Sequence, residues 1–165
     1  MKAVGASALG HLADLGPLCI RVGVGAVFAV HGWQKFDTIG VSNFAKFLDS
    51  LGVPAPETVA WLQTIAEGVG GLLLIAGLMT RLVTLPLIAI MIGAITMVKA
   101  DLPGVGFVVD SSVGTGWELE TGLLAGLLGL LFVGPGRLSL DGAFGMETAV
   151  APVGRTVVAR EPERT

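Results

Sequence analysis

The sequence predicts an all-α integral membrane protein: a bundle of four transmembrane helices, with a short interfacial amphipathic helix in its first outer loop. Three observations predict it. Apolar residues make up 53% of the 165 and charged residues only 14%, against about 25% charged in a typical soluble domain. The mean hydropathy is +0.81, and a chain this short has too little interior to hide that much apolar surface from water. Four apolar stretches each match the roughly 17–25 residues a bilayer crossing needs, and none alternates with the period of two that a membrane β-strand requires.

Residues 1–14 form an N-terminal cytoplasmic segment. Lys2 gives it a charge, but His11 and Asp14 interrupt any apolar signal core and no small-residue cleavage site follows. The first span, Leu15 to Trp33, is therefore expected to act as an uncleaved signal. The loop after it, Gln34 to Thr58, contains the amphipathic stretch Ser42 to Leu51. There Phe44, Phe47, Leu48 and Leu51 share one helical face while Lys46 and Asp49 point elsewhere, the pattern of a helix lying in the membrane interface. Pro54 and Pro56 stop it. The second span runs from Val59 to Met79 and the third from Leu82 to Lys99. Only Thr80 and Arg81 join them, so they form an antiparallel hairpin. A Gly-rich loop, Ala100 to Gly116, leads to the fourth span, Trp117 to Val133, which Gly134, Pro135 and Gly136 end. The membrane domain thus covers 15–142. Residues 143–165 form a polar cytoplasmic tail, expected to be disordered.

Basic residues near helix ends set orientation. Lys2, Arg81, Arg137, Arg155, Arg160 and Arg164 fall on one side, and Lys35, Lys46 and Lys99 on the other. The first set is expected inside, which puts both termini in the cytoplasm of a bacterial cell with the protein in its inner membrane. Trp33, Trp61 and Trp117 then sit at outer ends, where aromatic belts belong. The chain has 25 glycines. Gly122 with Gly126, and the group Gly68, Gly70 and Gly71, read as close helix packing within one bundle, with a dimer contact as the alternative.

The net charge of −3 gives no reason to expect nucleic acid as a partner. A single cysteine, Cys19, excludes an internal disulfide or a CxxC redox pair, and it reads as a small core residue. Two histidines, one of them before the first span, leave bis-His haem ligation unavailable. No His, Cys and Asp pattern has metal-ligand spacing.

Chemistry is expected where ionisable groups enter the spans, since each costs roughly 2.5–3.5 kcal/mol on insertion scales. Arg21 lies about 18 Å and Glu67 about 12 Å below the outer ends of their helices. An arginine that extends along the helix can meet the glutamate as a buried ion pair. Arg21, His31 and Lys35 share one face of the first span, and Gln63 and Glu67 stack on the second. Lys99 ends the third span on the same side and Glu120 begins the fourth. These seven residues are the candidate ligand-binding set, lining one cavity in the outer half of the bundle. Two readings follow. One is a structural clasp that holds four helices in register. The other is a pocket for a lipophilic molecule with a polar head, quinone being a candidate, in which His31 or Glu67 exchanges protons. Catalysis by this chain alone is not expected.

Four segments carry a family resemblance. They are Arg21 to Phe36, with His31 and Lys35; Phe44 to Pro56; Ala66-Glu67-Gly-Val-Gly-Gly71 through Gly77 to Leu82; and Val133-Gly-Pro-Gly-Arg137-Leu-Ser-Leu-Asp141. In this order they resemble the DoxX family over Leu15 to Gly142. The resemblance implies a bacterial four-helix membrane protein. The family is named for a subunit linked to quinone-dependent sulfur oxidation, so the resemblance implies a redox-associated accessory subunit with membrane lipid and a redox enzyme as partners. It carries over no catalytic residue. A membrane scaffold or small-solute transport protein with a purely structural polar cluster is the alternative, the transporter requiring a homo-oligomer.

Overall fold

A computed structural model describes residues 15–99, 106–107 and 116–146 of the chain, and the described residues contain helices and no strand. The expected N-terminal segment, most of the 100–116 loop and the tail beyond 146 lie outside the described residues.

Six α-helices follow in order: α1 (Leu15–Trp33), α2 (Val41–Ser50), α3 (Pro56–Ala76), α4 (Thr80–Gly93), α5 (Glu118–Val133) and α6 (Leu140–Phe144). Two of them change pitch at one end. α1 continues as a π-helix over Gln34–Thr38, and α4 as one over Ala94–Lys99. Pro56 starts α3 three residues earlier than expected, because proline is favoured in the first helical turn. Gly77 ends it in the left-handed region at φ 69°, the usual C-terminal device. α6 was not foreseen. Five residues are too few to show a helical period, and Ser139 starts the helix by accepting a hydrogen bond from the Gly142 N–H at 3.0 Å.

Three helical segments, Leu15–Thr38, Pro56–Ala76 and Thr80–Val98, are long and apolar enough to cross a membrane. α5 is equally apolar but has 16 residues, about 24 Å of helix. The core of the bundle comes from four helices: Val24 and Phe28 of α1, Leu74 of α3, Val83, Leu87 and Met91 of α4, and Leu123, Leu127 and Leu130 of α5. The outside is apolar too, with Leu62, Leu72 and Phe132 well exposed. Helices hydrophobic on every side suit a lipid solvent. Cys19 lies on this outer surface and not in the core, because its helix turns Arg21, Val24 and Phe28 inward instead.

α1 and α3 form the most intimate pair, antiparallel and glycine-lined. Gly32 meets Gly68 backbone to backbone, and Gly71 packs against Gly25 and Ala29. Within the bundle, Gly122 and Gly126 are not equivalent. A side chain at Gly126 would strike Val24, whereas one at Gly122 would meet nothing within 4 Å. α2 docks separately. Val41, Phe44, Ala45 and Leu48 bury themselves against Ala60 at the start of α3, with Val53 and Val59 beside them. The helix is the expected amphipathic one, displaced by one residue.

Candidate functional site: a polar chamber at the Glu67 end

Glu67 sits one helical turn after Gln63 on α3, and its side chain is 2% exposed. A helical side chain leans toward its own N-terminus, which for α3 is the end that carries Trp61 and α2. Lys35, on the π-helical extension of α1, leans back from the same end. The two meet, and the Lys35 ammonium donates to Glu67 Oε2 in a partly buried ion pair. Gln63 Nε2 donates to the other carboxylate oxygen at 3.2 Å. On its far side the Lys35 ammonium lies 5.0 Å from the centre of the Phe44 ring of α2, within cation–π range.

Lys35, Gln63 and Glu67 wall a chamber of about 160 Å³. Phe28, Met91 and Leu123 form its apolar part, His31 and Glu120 complete the polar part, and Ile90 and Ala94 close the α4 side. His31 donates from Nδ1 to the Val27 carbonyl at 2.8 Å, so any further hydrogen bond of the ring is made through Nε2. Both π-helical segments contribute, Lys35 from one and Ala94 from the other. Short π segments often mark functional sites, since they re-aim side chains locally. A second cavity of about 370 Å³ lies against the chamber between α2, α3 and α4. The two share Gln63, Ile90 and Ala94 as a common wall. Outside, Trp33 packs tilted against Phe36, and Phe36 meets Trp61 in a T-shaped contact, with ring centres 6.2 and 6.4 Å apart.

Of the seven expected site residues, five line this chamber: His31, Lys35, Gln63, Glu67 and Glu120. The Lys99 side chain lies outside the described residues. Arg21 is the correction. It does not reach Glu67 but faces the opposite end of the bundle. There it is 1% exposed and donates to the carbonyls of Ile75 at 3.3 Å, Leu74 at 3.5 Å and Leu138. α1 and α3 are antiparallel, so side chains leaning toward each N-terminus carry Arg21 and Glu67 apart. The expected Arg21–Glu67 pair is therefore replaced by Lys35–Glu67.

Arg21 belongs to a second polar cluster, centred on Asp141, that inspection of single helices missed. Asp141 is fully buried and accepts from the backbone N–H groups of Met79 at 2.6 Å and Thr80 at 2.9 Å. Its own N–H donates to the Gly77 carbonyl at 2.9 Å. A carboxylate from the chain's other end thus caps α4. Arg81 in turn donates to the Leu131 carbonyl at 3.1 Å, at the end of α5. The Gly134–Arg137 stretch that ends α5 also starts the segment that folds back to deliver Asp141.

Residues 16–100 match the DoxX family. The chain belongs to the DoxX family. Among curated relatives, this DoxX protein is 40% identical over 131 residues to an uncharacterized membrane protein of Mycobacterium tuberculosis, covering 75% of this chain and 78% of that one. It is 37% identical over 93 residues to CatD of Bacillus subtilis, provisionally named an oxidoreductase, covering 56% and 66%. It is 25% identical over 124 residues to the inner membrane protein YphA of Escherichia coli, covering 75% and 86%. No solved structure matches the DoxX chain significantly. The match includes Arg21, His31, Lys35, Gln63 and Glu67 and ends before Glu120 and Asp141.

Proposed function

We propose that this DoxX protein is a redox-associated accessory subunit of the bacterial inner membrane, holding the head of a quinone-like lipid in the Glu67 chamber or anchoring a partner oxidoreductase there. One observation carries the reading: a chamber of about 160 Å³ lined by an ammonium, two carboxylates, an amide and an imidazole, beside an apolar helix core. An interior cavity of about 150 Å³ accepts a benzene ring, so the volume suits one six-membered ring. Lys35 and Gln63 are donors that a ring carbonyl can accept from, while Glu67 and His31 are acceptors for a ring hydroxyl. The provisional oxidoreductase name of CatD supports a redox setting for the family.

The same reading sets the protein in the bilayer. α5 serves as the fourth span, its length of about 24 Å matched by modest local thinning of the bilayer. Arg81 and Arg137 mark the Asp141 end as cytoplasmic by the positive-inside rule, and α2 lies in the outer interface. The Lys35–Glu67 pair also favours a second reading, a scaffold or transport protein whose polar cluster only holds helices together.

Lipid mass spectrometry of protein purified in mild detergent separates the two. The first reading expects co-purified quinone. It also expects Glu67→Gln to lower occupancy several-fold with expression intact, since Lys35 is close enough to a helix end to extend its charge outward. A quinone-free wild type, or a Glu67→Gln protein that no longer folds, supports the scaffold.

A further inference from the structure

We propose that the apolar groove between α2 and α4 binds the single hydrocarbon tail, alkyl or prenyl, of the lipid whose head lies in the chamber. The proposal rests on the chamber reading above and adds a site to it. The groove holds about 370 Å³, inside the range of roughly 300–1,000 Å³ typical of ligand sites. Among its described lining residues only Gln63 is polar, and Gln63 is also part of the wall shared with the chamber. Because Gln63 borders both spaces, a molecule that spans them goes from hydrogen-bonding groups to carbon within one side chain's width.

The space has a sequence cause. Ala89, Gly93 and Ala94 present almost no side chain along one wall, and Pro86 precedes them on the same helix. Phe44 of α2 closes the opposite wall while its ring holds the Lys35 ammonium. The residue that would touch the tail thus also touches the cation that would touch the head. The charges choose the lipid class. Lys35 is already shared with Glu67, and Glu120 adds a second carboxylate to the chamber. An anionic phosphate head is disfavoured there, and a groove of this volume suits one chain better than the two of a phospholipid. A neutral ring head on one tail fits both cavities.

Gly93→Leu tests the tail site. A Cβ added at Gly93 meets nothing within 4 Å and Gly93 lines the groove, so a larger residue there starts into open space, and leucine favours the helix over glycine. The ligands are one dimethoxy-methyl-benzoquinone with and without a decyl chain, titrated into full-length protein in the same detergent. Tryptophan quenching reports binding. The wild type should bind the decyl form about tenfold tighter. Gly93→Leu should abolish that preference and leave affinity for the tail-less ring within about twofold, with Ala89→Leu on the same wall repeating the result. A preference that survives both substitutions overturns the proposal, as does a wild type that binds both forms equally; in either case the chamber reading stands. Equal loss of both ligands also overturns it. If the groove instead holds bilayer acyl chains or a second copy of the chain, Gly93→Leu leaves both affinities unchanged, or halves the particle mass. A wild type that binds neither quinone removes the chamber reading and the tail site together.

Discussion

Gly71→Ala should break the α1–α3 pair, whereas Gly68→Ala, one turn away on the same helix, should be tolerated. A Cβ added at Gly71 would lie 2.6 Å from the Gly25 carbonyl oxygen and 2.9 Å from the Ala29 Cα. Both are backbone atoms, which cannot rotate aside as a side chain would. The helices must separate, and the small-residue packing that holds membrane helices together is lost along the whole seam. Overpacking of this kind costs about 3 kcal/mol. At Gly68 the nearest foreign atoms to a new Cβ are Gly32 Cα at 3.8 Å and Gly32 carbonyl carbon at 3.9 Å, ordinary contact. The glycine-to-alanine gain in helix propensity, about 1 kcal/mol at most, can then appear as neutrality or slight stabilisation. Reversible unfolding in mixed micelles of increasing denaturing detergent measures both. The seam also sets the chamber, because it fixes Lys35 of α1 opposite Glu67 of α3. On the proposed chamber reading, Gly71→Ala should also lower any co-purified quinone in step with stability. Equal destabilisation by the two substitutions would show that the seam is not where the helices touch.

That seam explains what could and could not be read from the sequence. The long apolar runs placed three spans within a few residues, and the spacing of Phe44, Phe47, Leu48 and Leu51 placed α2. Helical periodicity put His31 with Lys35 and Gln63 with Glu67 on their proper faces, so most of the chamber was legible. Depth along each helix alone misplaces Arg21, because side chains lean toward the N-terminus of their own helix. The glycines held the missing information. Gly25 and Gly32 on α1 and Gly68 and Gly71 on α3 fix an antiparallel register that sets Lys35, and not Arg21, beside Glu67. Asp141 was illegible for a different reason. Its partners, Met79 and Thr80, lie 62 and 61 residues away, and nothing in the local pattern of a capping carboxylate says which helix it caps.

Arg21→Leu and Asp141→Leu should each cost about 3–5 kcal/mol, the toll of removing one member of a buried charged network. The reason is the helix termini. An α-helix leaves its first N–H and last C=O groups without partners, and an apolar exterior cannot supply them. Here each orphan group finds a side chain from another element. Asp141 takes the Met79 and Thr80 N–H groups, Arg21 takes the Ile75 carbonyl, and both sit against the Gly77 turn. A side chain at Gly77 would come within 2.6 Å of Ser139 Cβ and overlap the Arg21 guanidinium, so the turn, the arginine and the returning segment form one unit. Removing Asp141 leaves two donors bare and Arg21 without its compensating charge. The double substitution should therefore cost less than the sum of the singles, by about 0.5–3 kcal/mol. Arg21→Leu combined with Glu67→Gln should instead be additive within about 0.5 kcal/mol, because those residues serve opposite ends of the bundle. Coupling in the second cycle and none in the first would restore an Arg21–Glu67 clasp and remove the assignment of Glu67 to Lys35.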